Sequence, residues 1–415
     1  MVPNGWKLTS LGEVCSGKLQ TGPFGSQLHA DEYTDEGIPV LMPKDLTDFR
    51  ANTVTAAKIP EYRADDLKKH YLKSGDLLFS RRGDVARFAL IEKHTPKSIC
   101  GTGCLKATPN KAHSALFLSY FLQKDAVKKW LEQNAVGQTM PNMNTAILSE
   151  LPLMVASSRD EEDKIAKILS TWDKAIATTE RLIATSQQQK KALMQQLLTG
   201  KKRLVNPETG KVFEGDWEEV KLKKLGKCLT GLTYSPDDVR EEGILVLRSS
   251  NIQNGKLCFD DNVFVNKEVK DEVKTKYGDI LVCVRNGSRN LIGKSAFITD
   301  RAIGQTHGAF MTLFRGKYPE LVYQLFQTPQ FYKQVSMNLG ATINSINTSD
   351  LHKFKFKVPC DDLEVKKIAS VLTAADKDIE LLQAKLARLK DEKKALMQQL
   401  LTGKRRVKVD TTEAA

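Results

Sequence analysis

The sequence lacks the segments that direct a chain into or across a membrane. No apolar run reaches the length that a bilayer requires, and no apolar segment near the start has the form of a signal peptide. The seven cysteines are scattered and do not form the closely spaced framework of a disulfide-rich secreted domain. These absences predict a reduced, cytoplasmic protein.

The sequence also contains little that would perform chemistry. The tripeptide GKS at 293–295 ends like a phosphate-binding loop, but Ser288 stands where that motif requires glycine, and the residues after it predict a strand instead of a helix. Cys100 and Cys104 lack the spacing of a zinc site, which favours buried thiols. No Ser-His-Asp or paired-carboxylate pattern recurs, and no methyltransferase motif is present. We therefore predict a non-catalytic chain that binds no metal or cofactor.

Positive charge is in excess. The chain has 63 Lys and Arg residues against 50 Asp and Glu residues, which gives a net charge of +13. This excess favours a polyanionic partner such as nucleic acid, although a merely basic soluble protein stays open on charge alone. The 415 residues are enough for two or three domains that each have a core.

The chain repeats itself at a fixed distance. The segment KKALMQQLLTGK occurs at 190–201 and again at 393–404, a shift of 203 positions. The same shift superimposes three further pairs of segments: KIAKIL (164–169) on KIASVL (367–372), VGQTMPNMNTAIL (136–148) on LGATINSINTSDL (339–351), and, with one inserted residue, GDLLFSRRG (75–83) on GDILVCVRNG (278–287). A period near 200 residues is too long for a solenoid, so the pattern indicates a duplicated domain.

Each copy of the repeated segment ends a long predicted helix with seven-residue apolar periodicity. Neither helix contains an internal Gly or Pro, and each is followed by a glycine suited to a helix C-terminus. We expect these residues to form a coiled-coil interface: Ile165, Leu169, Ile176, Ile183, Leu193, Leu197, Ile368, Leu372, Ile379, Leu386, Leu396 and Leu400. The first helix ends beside the unit from which the second helix leaves, which favours antiparallel pairing.

The other segments mix strand and helix patterns. The GDLLFS and GDILVCV segments predict a turn followed by a strand, and residues 114–134 and 319–338 predict short helices. We therefore predict a duplicated α/β (α+β) fold, with two globular units joined by an antiparallel coiled coil about a pseudo-two-fold axis. The predicted layout is 1–158 and 217–359 for the globular units, 159–200 and 360–403 for the helices, 201–216 for a linker and 404–415 for a tail that is disordered after Val407.

The order of these motifs, repeated twice, resembles the specificity subunit of type I restriction–modification systems. The resemblance rests on PNGWKLTSLGEV (3–14), TGPFGSQL (21–28), GIPVLMPKDL (37–46), GDLLFSRRG, the NMNT and SINT segments and the two helix endings. It covers essentially the whole chain. One departure is that the Glu-Gln pair often found at the start of each long helix is replaced by RDEEDKIA and DDLEVKKIA.

The resemblance implies two target recognition domains that read an asymmetric bipartite DNA site, in a non-catalytic subunit of a prokaryotic cytoplasm. The implied partners are double-stranded DNA, two modification (adenine methyltransferase) subunits and two restriction (translocase–nuclease) subunits. S-adenosylmethionine, Mg²⁺ and ATP would be held by those subunits and not by this chain.

Two divergent segments, 18–70 and 231–276, lie inside a framework that repeats, as expected for heads that read different half-sites. Arg, Lys, Asn and Gln on loops carry the donors and acceptors that recognise base edges. The predicted DNA-binding residues are Lys18, Gln20, Lys44, Arg81, Arg82, Gln138 and Asn142 in the first unit, and Tyr234, Arg248, Asn251, Arg285, Asn286 and Asn344 in the second. A solvated or capping role stays open for each, and Asn144 and Asn347 are the clearest candidates for helix caps.

Two other functions stay open. One is a two-headed DNA-binding regulator that needs no enzyme partners. The other is a nucleotide-driven enzyme built on the GKS element, against which the missing glycine counts.

Overall fold

The chain folds into two compact units that each contain part of both long helices. The computed structural model describes residues 2–137, 139–339 and 344–409. Unit 1 comprises residues 1–179 and 385–415, and unit 2 comprises residues 180–384. Both units mix helices and strands, as the predicted duplicated α/β fold requires. In the described part of the chain, no helix is long and apolar enough to cross a bilayer.

Unit 1 is built from short strands, small helices and parts of the long helices. Its strands are Lys7–Ser10 (β1), Leu19–Thr21 (β2), Ile38–Leu41 (β3), Leu46–Thr47 (β4), Arg50–Ala51 (β5), Ala57–Ile59 (β6), Leu77–Ser80 (β7), Phe88–Leu90 (β8), Ile99–Cys100 (β9), Cys104–Ala107 (β10) and Pro152–Val155 (β11). Its helices are Leu11–Val14 (α1), Glu61–Asp66 (α2), Ala115–Leu122 (α3), Asp125–Asn134 (α4), Thr145–Ser149 (α5) and the first part of Arg159–Leu197 (α6). The predicted short helices are thus α3 and α4.

Three sheets organise unit 1. The largest has the strand order β2-β10-β7-β8-β5-β4, in which the first four strands pair antiparallel. A second sheet has the order β6-β3-β9, in which β3 and β9 run parallel. Strands β1 and β11 form a separate antiparallel pair. Phe79 of the large sheet and Phe117 of α3 are both fully buried in the main core of this unit.

Unit 2 has the corresponding elements. Its strands are Trp217–Lys221 (β12), Gly226–Thr230 (β13), Val239–Arg240 (β14), Ile244–Leu247 (β15), Ile252–Gln253 (β16), Lys256–Leu257 (β17), Phe264–Val265 (β18), Ile280–Cys283 (β19), Ser295–Phe297 (β20), Thr306–His307 (β21), Met311–Gly316 (β22) and Lys355–Pro359 (β23). Its helices are Leu222–Leu225 (α7), Pro319–Phe326 (α8), Pro329–Met337 (α9), Thr348–Leu351 (α10) and parts of α6 and Asp362–Leu400 (α11).

The sheets of unit 2 reproduce the strand orders of unit 1. The order β13-β22-β19-β20 repeats β2-β10-β7-β8, and the order β18-β15-β21 repeats β6-β3-β9, including its parallel pair. Strands β12 and β23 pair as β1 and β11 do. Residues 18–70 and 231–276 therefore follow similar chain paths although their sequences diverge.

The two long helices are each 39 residues long. Ser158 Oγ and Asp361 Oδ1 each accept a backbone N–H of the first helical turn, at 3.2 and 2.7 Å, and so cap the helix N-termini. Gly200 and Gly403, just beyond the helix ends, have left-handed φ angles of 70° and 66°. Glycine adopts this conformation without strain, which explains the sharp ends of both helices.

The apolar stripe predicted on these helices lies on their less exposed face. Seven of its residues are buried, namely Ile165, Leu169, Leu197, Ile368, Leu372, Ile379 and Leu400, and five are partly exposed, namely Ile176, Ile183, Leu193, Leu386 and Leu396. Towards the helix ends the stripe joins the globular cores. Leu169 and Leu400 belong to the core of unit 1, and Leu197 and Leu372 belong to the core of unit 2.

Ion pairs show that the helices run antiparallel within unit 1. Lys393 Nζ lies 2.5 Å from Asp173 Oδ1. Further along the chain, Arg406 Nε lies 2.6 Å from Glu161 Oε1, so later residues of one segment meet earlier residues of the other. Burial raises the pKa of Glu161, but hydrogen bonds from Arg406 and Ser157 outweigh that effect and leave the pKa below its ordinary value. Glu161 is therefore a charged, buried partner of Arg406.

Equivalent ion pairs occur in unit 2, where each residue lies 203 positions from its counterpart in unit 1. Lys190 Nζ lies 2.5 Å from Asp376 Oδ1. Arg203 binds Glu364 with two bonds, at 2.5 and 2.6 Å. The sequence repeat thus preserves the register of the helix pairing as well as the helix ends.

Replacing Leu400 with Ala should destabilise unit 1, because this side chain is 2% exposed and packs in the core. Truncation of a buried leucine costs about 2–5 kcal/mol, so the urea-unfolding midpoint, followed by circular dichroism, should fall. Leu381→Ala is a matched control, since Leu381 lies on the same helix and is 62% exposed. Equal shifts in the two variants would contradict the buried position of Leu400.

Candidate nucleic-acid interface

In unit 1 the turn after β7 lies against the loop that leads into α5. Met143 N donates a hydrogen bond to Arg81 O at 2.8 Å. Arg82 and Asn142 form an isolated antiparallel β-bridge. Three residues predicted to bind DNA from two distant segments are therefore neighbours. Gln138, predicted on the same loop, lies outside the described residues.

Unit 2 has the same arrangement after β19. Arg285 and Ser345 form an isolated antiparallel bridge at positions 203 beyond those of unit 1. Asn286 N donates to Asn344 O at 3.2 Å, and the side-chain amide of Asn286 donates to Ser249 Oγ at 3.0 Å. The structure thus brings together Arg285, Asn286 and Asn344, three of the residues predicted for this unit.

A 3₁₀ turn completes each arrangement, at Pro43–Asp45 in unit 1 and at Ser249–Asn251 in unit 2. The last residue of each turn accepts a bond from the backbone N–H that precedes the turn, at 2.9 Å in both units. We call these arrangements the loop clusters, which comprise residues 42–45, 81–83, 101–103 and 139–143 in unit 1 and residues 248–251, 284–287, 308–310 and 344–346 in unit 2.

Close backbone contacts fix the base of both loop clusters. A Cβ atom built on Gly22 would lie 1.8 Å from Gly101 O, and one built on Gly231 would lie 2.2 Å from Gly308 O. Only glycine permits such an approach. This requirement explains why a glycine directly follows β2 and β13, a feature that sequence reasoning did not identify as structural.

Asn251 does not present its side chain at the surface of the loop cluster. It is fully buried, and its amide donates to Cys258 O and Asp261 O at 3.0 and 3.1 Å. Its Oδ1 accepts the bond from Arg248 N. Because both sides of the amide are used, Asn251 shapes the turn and is not free to contact a base.

The other predicted residues on the loop clusters differ in exposure. Lys44, Arg82 and Arg285 are exposed, and Arg81, Asn142, Asn286 and Asn344 are partly exposed. Arg81 Nε and Asn142 Oδ1 are buried atoms without a hydrogen-bond partner among the described residues. Asn144 accepts a bond from Ile147 N at 2.8 Å and so caps α5. Exposed arginines beside partly exposed amides are the groups that recognise phosphates and base edges.

The contacts of Lys18 and Gln20 are with other parts of unit 1. Lys18 precedes β2, where its carbonyl accepts a bond from Thr108 N at 3.0 Å. Gln20 lies in β2, and its Nε2 is 3.2 Å from His70 Nδ1. Burial lowers the pKa of His70 to about 4, so this imidazole is neutral at pH 7. These contacts do not join either residue to the arginines of the loop cluster.

An open cleft of about 750 Å³ adjoins the loop cluster of unit 2. Its lining includes Tyr234, Arg248 and Phe310. Arg248 Nη2 lies 2.7 Å from Asp261 Oδ1, and its Nε has no partner among the described residues. Two predicted residues, Tyr234 and Arg248, therefore share a cleft with the aromatic ring of Phe310, which the sequence did not identify.

The two cysteines Cys100 and Cys104 and the GKS element at 293–295 have structural roles. Cys100 and Cys104 are buried, and burial raises the pKa of both thiols, to about 12 for Cys100, which confirms the prediction of buried thiols. Residues 295–297, which follow the GK pair, form β20 as predicted, so no helix begins at the GKS element. Within residues 2–137, 139–339 and 344–409, no group of three His, Cys, Asp or Glu side chains is placed to hold a metal ion.

The model for the type I restriction modification DNA specificity domain matches residues 3–185 and again residues 214–391. The chain belongs to this family. The two matches coincide with the two copies found in the sequence and cover well over half of the chain. The predicted resemblance is thereby confirmed, and the protein is a DNA-specificity component and not an enzyme.

Named relatives agree with this assignment. The putative type I restriction enzyme MjaX specificity subunit of Methanocaldococcus jannaschii is 25% identical over an alignment of 438 residues. The alignment covers 98% of this chain and 95% of the relative. The MjaVIII specificity subunit of the same organism is 28% identical over 312 residues, or 72% of each chain. A stand-alone regulator is therefore not favoured.

A solved structure has the same fold. The S subunit of a type I restriction–modification system from M. genitalium superimposes with a TM-score of 0.62 at 15% identity, covering 96% of this chain and 97% of that chain. At this identity the similarity concerns the fold alone, and it supports the duplicated α/β architecture.

Acid should destabilise unit 2 through His307, which is fully buried with its Nε2 3.0 Å from Leu229 O. Burial lowers the pKa of His307 from 6.5 to about 4. Between these values the unfolded chain binds a proton that the folded chain does not, so stability should fall by about 3 kcal/mol as the pH drops from 6.5 to 4.

His307→Gln should remove this part of the pH dependence, as measured by urea unfolding at several pH values. His94→Gln is the control for replacing a histidine at an exposed position. An H307Q variant with the full acid sensitivity of the wild type would show that His307 is not the group responsible.

Proposed function

We propose that this chain reads an asymmetric bipartite DNA site, with unit 1 reading one half-site and unit 2 reading the other. The observation that carries this proposal is a backbone arrangement that occurs twice with unlike side chains. A shared backbone would place both loop clusters against DNA in a similar way. Unlike side chains on it would then select different bases.

One position of the loop clusters is the same in both units. Arg82 and Arg285 occupy equivalent bridges and are both exposed. Three other equivalent positions differ between the units. Arg248 of unit 2 replaces Met42 of unit 1, Ser250 replaces Lys44, and Phe310 replaces Gly103. The shared arginine would supply a contact in each half-site, and the differing positions would make the half-sites unlike.

The chain would act as the scaffold of a larger complex. Its partners would be double-stranded DNA, two modification subunits and two restriction subunits, and those subunits would hold S-adenosylmethionine, Mg²⁺ and ATP. The target recognition domains would be 1–158 and 217–359, and the helices at 159–200 and 360–403 would join them. The net charge of +13 supports a DNA partner, because basic side chains release counterions from phosphates.

Replacing Arg285 with Ala should relax base preference in one half-site, and replacing Arg82 with Ala should relax it in the other. A good arginine contact with a base contributes about 1–3 kcal/mol of discrimination, so preference at one base pair should fall by roughly tenfold or more. The measurement is a map of methylated adenines in cells that carry each variant with the partner genes.

Lys128→Ala is the control, because Lys128 is exposed on α4 and pairs with Glu132 of the same helix. This variant should keep both half-sites. If R82A and R285A relax the same half-site, the assignment of one half-site to each unit is wrong. Uniformly weaker methylation with unchanged base preference would limit both arginines to phosphate contacts.

A further inference from the structure

Phe310 is an exposed aromatic side chain in a polar loop cluster. Phe310 is 58% exposed and lies outside the buried core of unit 2. The guanidinium carbon of Arg285 lies 5.6 Å from the centre of the ring, which is within the range of a cation–π contact. The ring also lines the cleft that contains Tyr234 and Arg248. An exposed ring among arginines contributes little to folding, so its role lies at the surface.

The backbone holds this ring in a defined place. The carbonyl of Phe310 accepts bonds from Val284 N and Arg285 N, both at 3.1 Å. Gly308, two residues earlier, is fixed by its close contact with Gly231. The backbone of Phe310 therefore lies on a fixed turn, and its aromatic side chain is open to solvent.

Unit 1 has the same backbone without the ring. Gly103 is the counterpart of Phe310. Its carbonyl accepts a hydrogen bond from Arg81 N at 2.8 Å, which is equivalent to the bond from Val284 N to the carbonyl of Phe310. A Cβ atom on Gly103 would lie 2.9 Å from Cδ of Pro43, whereas unit 2 has Ser249 at the place of that proline. The two copies thus differ together at two neighbouring positions. Only unit 2 has both the ring and the space for it.

The ligand chemistry follows from what DNA presents to such a surface. The 5-methyl group of thymine is the apolar group at the base edges of the major groove, and aromatic side chains contact it. Neighbouring arginine side chains such as Arg285 suit the acceptors of guanine. We infer that Phe310 packs on the 5-methyl group of a thymine in the half-site of unit 2 and is a specificity-determining residue. This role rests on the proposed function.

Deoxyuridine tests this role, because it differs from thymidine only in lacking that methyl group. After the bipartite site has been mapped from methylated adenines, each thymine in it is replaced in turn by deoxyuridine. Binding of the full-length chain to each duplex is measured by fluorescence anisotropy. Wild-type affinity should fall about three- to fivefold at one thymine of one half-site, the effect of losing one buried methyl group. The Phe310→Ala variant should bind the two forms equally at that position.

Phe24→Ala is the matched control, since Phe24 is an aromatic residue of unit 1 that is 55% exposed. It should leave the effect of that substitution unchanged. The role of Phe310 is overturned if no thymine responds in the wild type, or if the F310A variant keeps the wild-type difference between thymine and uracil. Equal weakening of both DNA forms by F310A, without a thymine effect in the wild type, would indicate stacking and would overturn it too. The methylation maps of R82A and R285A distinguish this failure from a failure of the proposed function. If these two variants still relax different half-sites, the proposed function stands even when the role of Phe310 is overturned.

Discussion

The fold of each unit depends on a buried carboxylate that is neutralised by an arginine from a distant part of the sequence. The side chain of Glu161 is 2% exposed and pairs with Arg406, and that of Glu364 is fully buried and pairs with Arg203. A carboxylate left unpaired at such a site would cost several kcal/mol. Unit 1 therefore requires the arginine that follows α11, and unit 2 requires the arginine that follows α6. The glycine that follows each helix then packs against a tryptophan at the start of the globular part.

This dependence couples recognition to the helices. Tyr120 donates a hydrogen bond to Asp173 at 2.5 Å, and Gln324 donates one to Asp376 at 2.7 Å. Each aspartate also carries the lysine bridge between the two helices. The globular part of each unit is therefore bonded to its helix pair through a shared network. A loop cluster mounted in this way has a fixed orientation on its own helices, as a reading head of a bipartite site requires.

The large periodic features could be predicted from the sequence, and the local differences could not. The long helices and the strands that follow the two Gly-Asp turns come from strong patterns that repeat at 203 positions. The matching sheets of the divergent segments could not be predicted, because their strands are two to four residues long and carry too few alternating positions. An exposed asparagine and a buried one look alike in sequence, so the sequence predicts a DNA contact for Asn251 although its side chain is buried. Phe310 was missed because an aromatic residue ordinarily predicts core.

The length of the helix pair should set the gap between the half-sites. Inserting four residues both after Leu182 and after Gln383, positions that face each other in the register of the ion pairs, lengthens each helix by about 6 Å. Mapping methylated adenines in cells with this variant should reveal the same two half-site sequences separated by one or two more base pairs, at about 3.4 Å each. An unchanged gap, or new half-site bases, in a stably folded variant would contradict this account.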